Sequence, residues 1–384
     1  MRIGTVATRS RRAVALAAVV FTTACTQSPA GEPVAPRSAT EAPERTQEAP
    51  QSFTVVGTGD VLIHPALTEQ ADLDGGAEGD GELDFRPLFS GVKPVIEHAN
   101  LALCHLEVPL AEPGGPYSGY PAFNAPPAVA DALVDTGYDA CSTASNHTLD
   151  RGEDGVTRTL DAMDEAKLRH TGSARDADEA ETPLIMDVGG VKVAQVSFTY
   201  GFNGIPLPEG KEWLANQLDP DRVLAAAEEA RDAGAEVVIA SLHWGQEYQH
   251  DPTQEQQAMA ERLLAGDAID AIIGHHAHVV QPIERVNGKW VAYGLGNHVA
   301  RHAEPRGVSE EGIAVRFRFT RTEDGWEVDS AEYIPMLIDL GPPIRLLDLT
   351  RGDAATAHAK SLERIDEIVL RRGGAEHGLA RPGS

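Results

Sequence analysis

The sequence predicts an α/β fold with mixed sheets covered by helices, and three observations lead there. Residues 53–56, 101–106, 138–143, 237–242 and 271–273 are short apolar runs of the kind that form buried parallel strands. Stretches of helical period at 129–136, 156–168, 220–233 and 254–264 lie between them, the alternation expected of strand–helix–strand crossovers. Gly189-Gly190 and Asn287-Gly288 each sit between strand-like runs and mark hairpins.

In chain order, 53–56 is a first strand, and the Gly- and acid-rich stretch 72–84 reads as a surface loop. A second strand at 101–106 precedes the helix 129–136, which Gly137 is placed to cap. The strand 138–143 leads to the amphipathic helix 156–168, with Leu160, Met163 and Leu168 on its apolar face. Strands 184–188 and 191–198 flank Gly189-Gly190. Pro220 opens the next helix and Gly234 ends it. Strand 236–242, helix 254–264 and strand 271–273 follow. The texture then changes to hairpins, 279–286 with 289–293 and 313–319 with 326–333, so the later part reads as antiparallel. Residues 354–371 form a last helix. The reading is one domain over 52–375 and a disordered tail at 376–384.

Acidic residues outnumber basic ones 59 to 32 in this chain of 384, for a formal charge of -27. That balance excludes nucleic acid as a partner, because such binding rests on basic patches that release counterions. The N-terminus reads as a targeting segment over 1–25. Arg2, Arg9, Arg11 and Arg12 precede an apolar run at 13–21, followed by Thr22, Thr23, Ala24 and Cys25. The run is too short to span a bilayer as a permanent helix. A cysteine at the cleavage point resembles a bacterial lipobox, with Thr22 where such boxes usually carry Leu. Lipidation of Cys25 would anchor the protein to the outer face of the membrane, and plain secretion is the alternative. Residues 26–51, rich in Pro, Ala, Glu, Thr and Ser, read as a disordered tether. Cys104 and Cys141 fall in neighbouring apolar runs. They read as two buried free thiols, with a disulfide as the alternative an exported protein permits.

The chemistry sits at the ends of the apolar runs. These runs end in Asp60, in His105 and Glu107, in Asn146 and His147, in His243, and in His275, His276 and His278. Sites in α/β sheets form beyond the carboxyl ends of strands. Five segments therefore bring oxygen and nitrogen donors to one place, a mixture suited to Mn²⁺, Zn²⁺ or Fe²⁺. In extended backbone His276 and His278 face one side as ligands, while His275 points elsewhere. Asp60 is a ligand and His64, four residues on, is a ligand or a neighbour of one. Glu107 reads as a bridging carboxylate and His105 as a ligand or its support. Asn146 offers a neutral oxygen, and His147, near a helix start, a general acid. Asp150 or Thr148 reads as a helix cap, Trp244 as packing, and Glu247 as site lining or a solvated side chain. Asn297 is placed to hydrogen-bond a ligand histidine.

The ordered set Gly59-Asp60, Leu106-Glu107, 145–150 (Ser-Asn-His-Thr-Leu-Asp), His243-Trp244-Gly245, 274–281 (Gly-His-His-Ala-His-Val-Val-Gln) and 294–297 (Gly-Leu-Gly-Asn) resembles the CapA family over roughly 53–302. These are bacterial capsule synthesis proteins linked to poly-γ-glutamate, with a calcineurin-like metallophosphoesterase core. The resemblance implies a four-layer α/β/β/α sandwich. It also implies a site for two divalent metal ions held by Asp60, Glu107, Asn146, His243, His276 and His278, with His147 catalytic. Three departures stand out, one being Glu107 where the classical bridging residue is Asp. Leu62 occupies the place of the histidine in the usual Asp-x-His, and His105 stands where many relatives carry Asn.

The resemblance implies a metal-dependent hydrolase at the cell envelope, acting on a phosphoester or on the anionic capsule polymer. The rival reading is a non-catalytic accessory lipoprotein that binds the polymer or a membrane-bound synthase or export protein. A solute-binding lipoprotein fits less well, since such proteins usually show two similar lobes, which the sequence does not.

Overall fold

A computed structural model describes residues 51–76 and 82–383. The leader, Cys25 and the tether through Pro50 lie outside the described residues. Strand β1 (Ser52–Leu62) is followed by α1 (Pro65–Gly76), two single-turn helices α2 (Arg86–Phe89) and α3 (Lys93–Ile96), and β2 (Leu101–Leu106). Then come α4 (Ala128–Thr136), β3 (Ala140–Ser142), α5 (Gly152–Ala166), β4 (Arg169–Thr171), α6 (Ala177–Ala180), and the hairpin β5 (Leu184–Val188) and β6 (Val191–Thr199). Helix α7 (Pro220–Asp232), β7 (Val237–His243), α8 (Gln254–Leu263) and β8 (Ala271–His275) lead to β9 (Ile283–Val286), β10 (Lys289–Ala292) and β11 (Asn297–Ala300). The chain ends with β12 (Glu311–Arg321), β13 (Trp326–Asp339), β14 (Arg345–Asp348), α9 (Ala354–Ala357) and α10 (Ala359–Leu370).

The strands make two sheets. One runs β14-β13-β12-β1-β2-β3-β4, with β11 also paired to β1; the other runs β5-β6-β7-β8-β10-β9. Period-two alternation sorts the side chains into three cores. Val56, Ala102 and Cys104 face outward onto Leu67, Phe89, Leu133 and Leu160 of the helices over the first sheet. Val55, Leu101 and Leu103 face inward and meet Val193, Val237, Ile239 and Ile273 of the second sheet. Ala194, Val238, Ala240 and Ile272 face outward again onto Val223, Ala227, Ala260 and Leu263 of α7 and α8. Helix, sheet, sheet and helix thus stack as four layers, the α/β/β/α sandwich that the resemblance implies.

Five readings are corrected. The later strands are not uniformly antiparallel, because β10 pairs parallel to β8 and β11 parallel to β1. Residues 72–76 belong to α1 rather than a loop. Gln70 Oε1 accepts the Ile344 N–H at 2.9 Å and Asp74 pairs with Arg345 at 2.8 Å, so tertiary contacts carry the helix through its weak end. The last helix breaks at His358 into α9 and α10. Residues 376–383 are not a free tail. Leu379 is buried, and the Tyr333 N–H donates to the Ala380 carbonyl at 3.1 Å. Cys104 and Cys141 are paired in register across β2 and β3, with Cα atoms 4.4 Å apart, and form a disulfide rather than two thiols. Among the described residues no helix is long and apolar enough to cross a membrane.

The packed tail gives a direct test. Leu379→Ala should cost about 2–5 kcal/mol in denaturant unfolding, the usual range for emptying a buried leucine site. An unchanged midpoint would restore the free-tail reading.

Candidate metal centre

Parallel pairing lines up chemistry in rows. Across β1, β2 and β3 the register places Asp60 beside His105 and His105 beside Ser142. Across β6, β7 and β8 it places Thr199 beside His243 and His243 beside His275. The two rows meet at one edge of the sandwich. Loops after β2, β3 and β8 add Glu107, Asn146 with His147, and His276 with His278.

Backbone conformation completes the convergence. His276 and His278 have φ of 90° and 54°, so the left-handed turn aims both rings, not the extended alternation read from sequence. Asn203 and Tyr248, which border the same region, also have positive φ. Strain of this kind persists only where the surroundings enforce it, and it gathers at functional sites. His275 does not point elsewhere. Its Nδ1 lies 3.3 Å from Asp60 Oδ1, and its ring stacks on His105 at 4.1 Å.

Two donor groups result. In the first, Asp60 Oδ2 is 3.1 Å from His278 Nδ1, and Glu107 Oε1 is 3.7 Å from His278 Nε2. Asp60, Glu107 and His278 each offer an atom within 4.8 Å of the others. In the second, His243 Nε2 is 2.9 Å from Asn146 Oδ1, and the rings of His243 and His276 are 4.7 Å apart. Glu247 joins His276 and His278 in a further group of the same span, and Asp60, His105 and His275 form another. Asn297 Oδ1 lies 3.0 Å from His278 Nδ1, the supporting contact expected of it. His105 Nε2 faces His243 Nδ1 at 3.0 Å. His64 lines the adjoining cleft but joins none of these groups; its Nδ1 is held by the Leu62 carbonyl at 3.0 Å. His298 is elsewhere, 2.7 Å from the Tyr138 hydroxyl. Trp244 packs, donating to the Tyr293 carbonyl.

The electrostatics favour a cation. Both Glu107 carboxylate oxygens are buried without a hydrogen-bond partner, and such groups are costly unless something charged meets them. Burial pushes the Glu107 carboxyl well above its usual range, with His278 only partly opposing this. Burial would also raise Asp60, but the His275 and His278 rings close beside it outweigh this and hold that carboxyl well below its usual range. Burial would lower His278, yet Glu107 and Asp60 push it up to about 10. Burial drives His243 and His105 down, and takes His276 to about 3. Those rings are neutral and can act as ligands. Oxygen and imidazole donors with two unsatisfied carboxylate oxygens fit a divalent metal of the Mn, Zn or Fe type.

His147 stands beside this centre with Nδ1 2.8 Å from Asp150 Oδ2, and the edge of its ring meets Phe123. Asp150 also accepts the Phe123 N–H at 2.7 Å. The sequence reading took Asp150 as a cap and so missed its hold on His147; the i,i+3 spacing alone does not distinguish the two. Also missed were Tyr200, whose ring lies 4.6 Å from His276, and Arg301, Arg306, Tyr248 and His302. These last four line a cleft of about 710 Å³ together with His64, His147, Glu247 and His278. Tyr200 and Tyr248 follow strand ends, the only signal that could have marked them. A neighbouring cavity of about 750 Å³ shares Pro65 and Glu69 but has no histidine in its wall.

The family described as "Bacterial capsule synthesis protein PGA_cap" matches residues 54–302. The chain belongs to this family. It is similar to the capsule biosynthesis protein CapA of Bacillus anthracis, 30% identical over 171 residues, which cover 44% of this chain and 41% of that protein. It is also similar to the PGA biosynthesis protein CapA of Bacillus subtilis (strain 168), 33% identical over 175 residues, 44% of each chain. The matched stretch thus spans less than half of those relatives' length. Among solved structures, the calcineurin-like phosphoesterase YfkN from Bacillus subtilis is similar over 82% of this chain and 99% of that one, with 15% identity and a TM-score of 0.45.

Metal held by a centre of this kind would stabilise the folded state by mass action. Mn²⁺ or Zn²⁺ should raise the thermal midpoint of the wild type, chelation should reverse the rise, and Glu107→Ala should remove most of it. A wild-type midpoint indifferent to both metals would contradict the centre.

Proposed function

We propose that this capsule synthesis protein is a metal-dependent hydrolase of the cell envelope, cleaving a phosphoester or an amide of the anionic capsule polymer. The observation that carries the reading is the burial of both Glu107 oxygens, without hydrogen-bond partners, among Asp60 and His278. Asp60, Glu107 and His278 would hold one ion, and Asn146, His243 and His276 a second. When bound, such ions supply Lewis acidity and lower the pKa of water toward neutrality.

The chain's own residues supply the rest. The Asp150 carboxylate accepts from His147 Nδ1, which leaves Nε2 as the nitrogen that can give a proton to a leaving group. Phe123 against the ring and the Phe123 N–H on Asp150 fix both groups. Arg301 and Arg306 line the cleft, and among the described residues neither has a carboxylate partner. In a chain of net charge -27, two such guanidinium groups favour an anionic substrate. The relatives' names, capsule biosynthesis and PGA biosynthesis, support a polymer of that kind. The leader motif and Cys25 support attachment to the outer face of the membrane by lipid.

Leu62, standing in place of the Asp-x-His histidine, favours a second reading. With one ligand fewer beside Asp60, the centre would bind polymer carboxylates without turnover, and the protein would serve a synthase or exporter.

The test is hydrolysis of p-nitrophenyl phosphate and of poly-γ-glutamate by the Mn²⁺-loaded protein. The hydrolase reading expects turnover of one of them, a fall of roughly 10²- to 10⁴-fold in kcat for His147→Ala, and loss of activity in Asn146→Ala and His276→Ala. Metal-loaded protein inert toward both would favour the accessory reading.

A further inference from the structure

A buried row of hydrogen-bonding groups runs behind the second donor group. Ser142 Oγ lies 2.8 Å from His105 Nδ1, His105 Nε2 lies 3.0 Å from His243 Nδ1, and His243 Nε2 lies 2.9 Å from Asn146 Oδ1. All four residues are buried. Asn146 Nδ2 donates to Asn203 Oδ1 at 3.2 Å, which turns the amide oxygen toward His243. Ser142 has a second partner, since its hydroxyl reaches the Cys104 carbonyl at 3.3 Å.

The row can run in two directions. In one, the Ser142 hydroxyl donates to His105 Nδ1, His105 Nε2–H donates to His243 Nδ1, and His243 Nε2–H donates to Asn146 Oδ1. Every group is then satisfied, and His243 Nε2 has no lone pair to offer. In the other, Ser142 donates to the Cys104 carbonyl and accepts from His105 Nδ1–H. His105 Nε2 then accepts from His243 Nδ1–H, and His243 Nε2 turns a lone pair toward Asn146 Oδ1. Two acceptors then face each other at 2.9 Å, an arrangement that a cation relieves. Which nitrogen of a histidine carries its proton is set by the partner of the other.

We propose that His105 is a positioning residue: with Ser142 behind it, it holds the proton of His243 on Nδ1 and so presents Nε2 to a divalent metal. This deepens the metal reading above and rests on it. Stacking on His275 at 4.1 Å keeps the His105 ring in the plane the row requires.

The test is Mn²⁺ affinity and stoichiometry by titration calorimetry on the full chain, with the thermal midpoint of the metal-free protein recorded beside it. His105→Phe keeps the ring but removes both nitrogens, and affinity should fall roughly 10- to 100-fold, as for other partners of metal-bound histidine. His105→Gln can still accept from His243 Nδ1–H, and should restore affinity to within about threefold of wild type by that same hydrogen bond. Ser142→Ala should fall between the two, and it decides the matter if the Phe variant does not fold. Nitrogen-15 spectra of histidine in the Mg²⁺- or Zn²⁺-loaded wild type should show His243 protonated at Nδ1. A Phe variant that binds as tightly as wild type overturns the inference alone. So does a Gln variant that loses a whole equivalent of metal, which would make His105 a ligand. A wild type that binds no metal overturns the metal reading and this inference with it.

Discussion

A Cβ at residue 59 would stand 2.0 Å from the Gly296 carbonyl oxygen, and the whole centre depends on that close approach. Strand β1 pairs with β12 up to Thr58 and with β11 from Asp60, so it changes partners at Gly59. Only a glycine lets the two backbones come this near, and the Asp60 N–H then donates to the Gly296 carbonyl at 3.0 Å. Asp60 and Asn297 become register partners. Both then reach His278 Nδ1, Asp60 Oδ2 at 3.1 Å and Asn297 Oδ1 at 3.0 Å. A backbone contact between glycines thus fixes a carboxylate, an amide and an imidazole against one another.

The electrostatic consequence is a buried cluster that no member satisfies alone. Asp60 is held low because the His275 and His278 rings oppose its burial, and His278 is pushed up because Glu107 and Asp60 oppose its own. Glu107 is left with two oxygens and no hydrogen-bond donor. An arrangement that held these groups only for stability would be a poor one, since apolar packing of equal volume does as well or better. A cation would resolve the conflict, and Arg301 and Arg306 line the adjoining cleft.

Much of the sandwich was legible because strand and helix periods differ and each run ends in punctuation. Gly137, at φ 111°, closes α4, and Pro220 opens α7 behind the Asp219 cap. The placement of the candidate residues was legible through position: Asp60 lies near the end of β1, and Glu107, Asn146, His243 and the His275 to His278 run end or follow apolar strands. What the sequence concealed was orientation. Extended alternation predicts that His275 turns away, whereas positive φ at His276 and His278 brings all three rings inward. Asp150 was hidden because a cap and a histidine partner have the same residue type and spacing. Residues 72–76 and the tail at 376–383 were misread because their order comes from distant contacts, Arg345 for Asp74 and Tyr333 for Ala380, which no local pattern carries. The Cys104–Cys141 disulfide depends on register between β2 and β3, which apolar runs leave open.

The central claim is that remote segments converge on divalent metal. Anomalous diffraction from crystals grown with Mn²⁺ measures this most directly. The account predicts peaks within about 2.0–2.3 Å of donor atoms from Asp60, Glu107 and His278 and from Asn146, His243 and His276. A map without a peak there, or with its only peak among Asp60, His105 and His275, would contradict it.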